Sequence, residues 1–279
     1  MRIVLAVVVA FLLGVVVVAA LDYRPGSFRS QYRREVADLL TRPIVAGIVT
    51  EGDLAPLPPL MQTYLRRVGA VGRPHVRNVH ITFDAQMRSA ADSPWMQATV
   101  DQYEFFDTPA RFFFMQARRS GIPVDAFHRY VGDSATFRVR IMGLYPMVDF
   151  KGDTLTQSET VTLLNDILVF APAAVLDLPF GWEMTGDRTL RATFTNGGHR
   201  VSAELTFDAA GDLVGFRSND RYAAKGKESV LLPWSTPISD YGEVDGVRLG
   251  RHGDANWVEN GAEWTYGRFT VRSVAYNVR

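Results

Sequence analysis

The chain has 279 residues, 47% of them apolar and 22% charged, a composition that suits a globular protein with a sizeable core. Thirty basic side chains balance thirty acidic ones, which argues against a general nucleic-acid binder, since that needs a basic excess to displace counterions from phosphate. Cysteine is absent, which excludes disulfides, thiolate metal sites, a cysteine nucleophile and a lipid-modified cysteine.

The amino terminus is unlike the rest. Residues 3–21 carry no charged or polar side chain; as a helix they span about 28 Å, close to the hydrocarbon thickness of a bilayer. Arg2 and the small residues Val18, Ala19 and Ala20 suit a cleaved signal peptide. The run is longer than the roughly 7–15 apolar residues of such peptides, so residues 1–22 are read as a transmembrane anchor, with the membrane as partner. Arg24, Arg29, Arg33 and Arg34 follow the span and by the positive-inside rule hold the next domain in the cytoplasm. A single span starting directly after Arg2, with a large domain trailing it, favours the opposite. The expectation is a single-pass protein of the cell membrane whose domain is extracytoplasmic, against the arginine tally.

Residues 23–55 read as a juxtamembrane connector. It holds a short helix over 33–40, stopped by Arg42-Pro43, and the stretch 54–59 is proline-rich and extended. A helix follows, because Leu60, Met61, Tyr64, Leu65 and Val68 recur at helical spacing behind Pro58 and Pro59. Arg66 and Arg67 suit the negative end of its dipole, and Gly69 and Gly72 end it.

From His75 onward the period changes to two. Val79, Ile81 and Phe83 alternate with polar neighbours. So do Phe137, Val139 and Ile141, and again Val201, Ala203, Leu205 and Phe207. Each set marks a strand with one buried face. Asn196-Gly197-Gly198, Asp245-Gly246 and Asn260-Gly261 are hairpin turns. Roughly a dozen strands fit, spaced as an antiparallel meander. One helix interrupts them: Thr156-Gln-Ser-Glu159 reads as a capping box, and Pro172 closes the run. Glu159, Thr162, Asn165 and Asp166 share a polar stripe, read as solvated. The remaining apolar arc covers over half the circumference, more than a helix on a flat sheet requires. This helix is predicted to be wrapped by its sheet or covered on a second side.

Strong catalytic signatures are missing. There is no nucleotide loop, no zinc-protease His-Glu-x-x-His and no nucleophile elbow, and the five histidines are scattered; no cofactor or metal is expected. Arg138 and Arg140 share the strand face opposite Phe137, Val139 and Ile141, so two guanidiniums can grip an anion there, or simply pair with neighbours on an outer face. Phe105, Phe106, Phe112, Phe113 and Phe114 coat both faces of neighbouring strands, which implies core on one side and a helix, ligand or membrane on the other.

The stretch Leu57-Pro-Pro-Leu-Met-Gln-Thr-Tyr-Leu-Arg-Arg-Val-Gly-Ala-Val-Gly-Arg-Pro74 resembles the opening signature of a family of uncharacterised bacterial proteins with an N-terminal membrane segment. Further matches are Gln102-Tyr103, Arg140-Ile-Met-Gly-Leu-Tyr-Pro146, Phe170-Ala-Pro172, Arg221-Tyr222, Pro233-Trp234, Asp240-Tyr241 and Asp245-Gly246. The resemblance covers about residues 55–276. Asp166 takes the place of an acidic residue, usually Glu, that the family often has in its helix. Gly250 stands where the family often has proline, which leaves the start of the strand at Leu249 open. A β meander around very apolar helices is also similar in architecture to the lipoprotein-carrier (LolA-like) half-barrels, and that likeness implies a curved sheet around helices with an apolar cavity for acyl chains.

The expected fold is mainly β with a few helices, a large curved antiparallel sheet or half-barrel over residues 56–279 wrapped around one or two apolar helices. The expected function is a membrane-anchored, non-catalytic domain holding a lipid or other hydrophobic ligand between sheet and helix. Candidate ligand contacts are Arg138, Arg140, Asp166, Phe170, Trp182, Arg221 and Trp234. The alternatives are a hydrolase-like enzyme using Asp166 with Arg140 and Arg221, and a structural component of an envelope complex.

Overall fold

The computed structural model describes residues 23–44, 47–225 and 228–279, together with the isolated positions 4, 14 and 20. Apart from those three positions, the expected membrane anchor at 1–22 lies outside the described residues; among those described, no helix is long and apolar enough to cross a membrane.

The alternating segments form a single antiparallel sheet, of thirteen strands among the described residues. Six come first: β1 (Asn78–Met87), β2 (Met96–Phe105), β3 (Ala110–Arg119), β4 (Ile122–Val131), β5 (Ser134–Ile141) and β6 (Tyr145–Lys151). After a long helix come β7 (Gly181–Gly186), β8 (Thr189–Asn196), β9 (His199–Phe207), β10 (Leu213–Lys225), β11 (Glu228–Val244), β12 (Val247–Glu259) and β13 (Ala262–Tyr276). Both runs are simple meanders. They are joined by one non-local pairing, β1 against β13, so the order is β6-β5-β4-β3-β2-β1-β13-β12-β11-β10-β9-β8-β7. The strand left open at Leu249 begins at Val247, and Gly250 lies inside it. A Cβ there would stand 2.2 Å from Ile238 Cγ2, so the neighbouring strand occupies the space a side chain would need.

The sheet is curved. β4 and β8 lie nine places apart in the strand order, which in a flat sheet at about 4.8 Å per strand is roughly 43 Å. Yet Asn196 Nδ2, at the end of β8, donates to Gly132 O, just past β4, at 2.9 Å. The two arms have closed around what lies between them. That is the helix Asp153–Phe170, of which thirteen residues are buried, including Leu163, Leu164, Ile167 and Leu168 with no exposed surface. Both predicted kinds of cover are present. Strands of both arms pack on it, and Tyr64 OH, from a second helix, donates to Leu168 O at 3.0 Å.

The described residues form four α-helices, in chain order α1 (Phe28–Leu40), α2 (Glu51–Leu54), α3 (Pro59–Arg67) and α4 (Asp153–Phe170), and a 3-10 turn at Pro172–Leu176. α4 begins three residues before the expected capping box. Its N-cap is Gly152, at φ +106, a backbone conformation that glycine adopts without strain. Thr156 sits inside the helix and its hydroxyl donates to Gly152 O at 3.1 Å. Ser158, Thr160 and Thr162 likewise bond the carbonyl four residues back, which lets a hydroxyl be buried without an unpaired donor. The stretch expected to be extended at 54–59 starts instead at the end of the short helix α2. α3 is as predicted, and Arg67 from its last turn shares Asp212 with Arg248 of β12, every contact at 2.7–2.8 Å.

The connector reading needs one correction. Residues 28–40 form α1, capped by Ser27 Oγ accepting from Ser30 N at 3.1 Å. It packs on the outer face of β2–β4, where Phe28, Tyr32 and Val36 meet Phe112, Phe114 and Phe127 in a second small core. This is the apolar partner that the double-sided phenylalanine strands required. The connector interpretation failed because α1 is polar on most of its surface, and only one narrow stripe is apolar. Tyr32 is 3% exposed and donates to Asp101 Oδ1 at 2.8 Å. Tyr32→Ala is expected to cost about 3 kcal/mol, the usual loss for emptying an aromatic site, read as a lower urea midpoint.

Candidate functional site

A cavity of about 560 Å³ lies between α4 and the inner face of the sheet. Most of its wall is apolar, with Phe83, Phe113, Met115, Val139, Phe170 and Phe269 among the residues that line it. Alternation supplies them, since in β3 the residues 111, 113, 115 and 117 face inward while Phe112 and Phe114 face α1.

One side of the wall is polar. Cross-strand register sets Glu104 of β2 opposite Arg111 of β3, and Phe113 of β3 opposite His128 of β4. α4 lays Glu159 and Asp166, two turns apart, onto this patch. Arg111 Nε donates to Asp166 Oδ2 at 2.7 Å, Nη1 to Glu159 Oε2 at 3.2 Å and Nη2 to Gln102 Oε1 at 3.2 Å. Gln102 Nε2 bridges Glu104 Oε1 at 2.8 Å and Asp166 Oδ2 at 3.0 Å, and Asn165 Nδ2 donates to Asp166 Oδ1 at 2.9 Å. His128 Nδ1 meets Glu159 Oε1 at 3.0 Å. The polar stripe of α4 is therefore buried, not solvated: Glu159 is 1% and Asp166 4% exposed. The sheet carries its own polar groups at matching positions, so burial of the stripe leaves few partners unmet.

The charges are set by this packing. Burial, and then the neighbouring Asp166, push the Glu104 carboxyl well above the usual carboxylate range. Burial opposes ionisation of Glu159 too, but His128, Arg111 and Arg221 outweigh it and hold its carboxyl down at about 2. Burial lowers His128, with Glu159 acting against that shift. Glu104 gives a prediction. Its folded pKa is raised, so the native state holds a proton that the unfolded chain releases above about pH 4.5, and stability falls as pH rises through that window. Glu104→Gln mimics the protonated form and cannot titrate. Its melting temperature should match the parent's near pH 4 and exceed it increasingly towards pH 8; a constant offset would contradict the assignment.

Further along the cavity wall stands Arg221. Its Nε donates to Thr162 Oγ1 at 3.3 Å and its Nη1 to Tyr266 OH at 3.2 Å. The guanidinium carbon lies 4.6 Å from the Trp234 ring centre and 5.0 Å from that of Trp257, and Trp234 Nε1 donates to the same Tyr266 hydroxyl at 3.1 Å. Among the described residues no carboxylate lies within ion-pair distance of it.

The structure thus brings Asp166, Phe170, Arg221 and Trp234 to the cavity. Trp182 stacks on Phe180 with ring centres 5.0 Å apart and is not part of the cavity wall. Arg138 and Arg140 share one face as predicted, but it is the outer one: Arg138 Nη2 donates to Gln31 Oε1 at 2.8 Å, Arg140 Nη1 to Gly26 O at 3.2 Å, and both lie over the Phe28 ring. Gln102, Glu104, Arg111 and His128 were missed. Their signal was readable, because each interrupts the apolar parity of its strand and the interruptions fall side by side in β2, β3 and β4. Among the described residues no group of three or more His, Asp and Glu is placed to hold a metal ion. A second hollow of about 470 Å³ opens on the outer face near Arg29, Thr82 and Asp101, with His80 and Tyr32 both bonded to Asp101.

Residues 47–269, which include α3, α4, β1–β12 and the first half of β13, match the model of a family described as a family of unknown function, DUF6544. The chain belongs to this family. The match agrees with the resemblance read from the 57–74 signature. No curated protein matches the chain. Among solved structures it is similar to the LolA superfamily protein NE2245 from Nitrosomonas europaea, at 9% identity over 77% of this chain and 93% of that one, with a TM-score of 0.43.

Proposed function

We propose that this chain is a membrane-tethered, non-catalytic domain that holds a lipid or other hydrophobic ligand between its sheet and α4. The observation that carries this reading is the cavity of about 560 Å³, apolar over most of its wall and polar on one side. That volume lies within the range of small-molecule sites, which are mostly apolar with a few placed polar groups. The apolar body suits a hydrocarbon chain. Arg221, held by Thr162 and Tyr266 and lying over the Trp234 and Trp257 rings, suits a polar or anionic head at the other end of the same molecule. Phe170 and Trp234 add contact area, and Asp166 orders the polar wall through Arg111. Native mass spectra of the purified protein should show a lipid-sized adduct that organic extraction removes. A clean, unliganded mass from a gently purified sample would count against the reading.

The hydrolase alternative needs Asp166, Arg140 and Arg221 in one place. Arg140 lies on the outer face, and both oxygens of Asp166 already accept hydrogen bonds from Arg111, Gln102 and Asn165. We place the domain outside the cytoplasm, tethered by residues 1–22. A reporter fused after Arg279 should be active as a periplasmic marker; activity only as a cytoplasmic marker would mean that Arg24, Arg29, Arg33 and Arg34 set the topology.

A further inference from the structure

We propose that the end of the first sheet arm carrying the β1–β2, β3–β4 and β5–β6 turns docks on a lipid bilayer. In an antiparallel meander alternate turns fall at the same end of the strands, so these three form one rim. The β5–β6 turn is its most apolar part. Met142, Leu144, Tyr145 and Met147 are all exposed, Tyr145 by 76% and Met147 by 59%. β6 ends the sheet, so no further strand covers them. Large apolar side chains clustered in water on a lone hairpin mark an interaction surface. The β3–β4 turn adds exposed Ile122 beside Arg118 and Arg119, and its backbone is tied to its neighbour by Met142 N donating to Pro123 O at 2.9 Å. The β1–β2 turn adds Trp95, flanked by the guanidiniums of Arg88 and Arg268 at 4.5 and 4.4 Å. Apolar tips, an indole and surrounding cations match what settles at the boundary of headgroups and acyl chains.

Where the chain leads identifies the occupant. Arg24 Nη2 donates to Gly143 O, at the tip of the β5–β6 turn, at 2.6 Å. On the other side Arg140 Nη1 donates to Gly26 O at 3.2 Å. The chain is therefore fastened to this tip three residues after the uncharged stretch 3–21. Three residues span at most about 10 Å, so a bilayer holding that stretch also holds the tip at headgroup depth. The cavity reaches the same end of the arm, where Met87, Met96, Ala117 and Val124 line it.

The absence of cysteine makes single labels simple. The full chain, as Leu144→Cys or Met147→Cys carrying an environment-sensitive fluorophore, is reconstituted into phosphatidylcholine–phosphatidylglycerol vesicles containing acyl-brominated lipid. Asp107→Cys, in the β2–β3 turn at the opposite end of the strands and about 30 Å away, is the reference. All three positions are exposed, so folding is unaffected and circular dichroism confirms it. Quenching at 144 and 147 is expected to be roughly threefold or more above that at 107, the signature of burial at the acyl boundary. Equal, weak quenching at all three positions overturns the proposal. So does a blue shift at 144 that follows protein density and ignores the brominated lipid, because a second copy then covers the patch.

Discussion

Leu164→Asp is expected to unfold the domain. Leu164 has no exposed surface and sits mid-way along α4, inside the core that both arms of the sheet enclose. The polar wall of the cavity cannot rescue the new carboxylate, because Glu159, Thr162, Asn165 and Asp166 lie on a different side of the helix. An unpaired carboxylate in such a site costs several kcal/mol even after it takes up a proton, comparable with the roughly 5–15 kcal/mol that holds a whole domain together. Leu164→Ala should cost about 2–5 kcal/mol and stay folded. A parent-like melting temperature for the aspartate variant would show that α4 is not the centre of the core.

The second large effect is expected at Arg111. Its guanidinium is the cation within reach of three carboxyl groups, at 2.7 Å from Asp166, 3.2 Å from Glu159 and 3.5 Å from Glu104, and its side chain is 7% exposed. Breaking a buried pair by removing one partner typically costs about 3–5 kcal/mol, because a buried charge is left without compensation. Arg111→Met should lose that much in chemical denaturation, and the loss should shrink as the pH falls and the uncompensated carboxylates take up protons. Arg111→Lys keeps the charge but loses the planar fork that reaches Asp166, Glu159 and Gln102 together, so it should recover only part of the stability. An Arg111→Met protein as stable as its parent would mean that the carboxyls are satisfied without the cation.

Much of the fold could be read from residues alone. Alternation located the strands, the Asn-Gly and Asp-Gly turns located hairpins, and an apolar arc too wide for a flat sheet showed that α4 had to be enclosed. The pairing of β1 with β13 could not be read. It joins segments almost two hundred residues apart, and no local pattern records which edges of two meanders meet. Period two also assigns residues to faces without saying which face is inner. Arg138 and Arg140 were correctly grouped, but the surface they share is covered by α1, whose apolar stripe of Phe28, Tyr32 and Val36 is too sparse to stand out in a polar segment. The buried polar wall shows only when its two halves are read together. Glu159 and Asp166 look like any solvated stripe until the parity breaks at Gln102, Glu104, Arg111 and His128, on three strands, are set against them. By contrast Asp166 and Phe170, read from the helix, and Arg221 and Trp234, which stand in the family-like motifs, do line one cavity.

The central claim is that this cavity is a ligand site and not an incidental gap in packing. Its most direct test is a titration of the lipid-extracted full chain, in detergent micelles, with a fluorescent long-chain fatty acid, beside the variant Val139→Trp. Val139 lines the cavity at its apolar side, and an indole there takes up space without adding charge. The account predicts saturable, one-to-one binding by the parent and a loss of roughly tenfold or more in the variant, about 1.4 kcal/mol or above, while both proteins melt alike. Non-saturable uptake, or equal affinity in parent and variant, would contradict it.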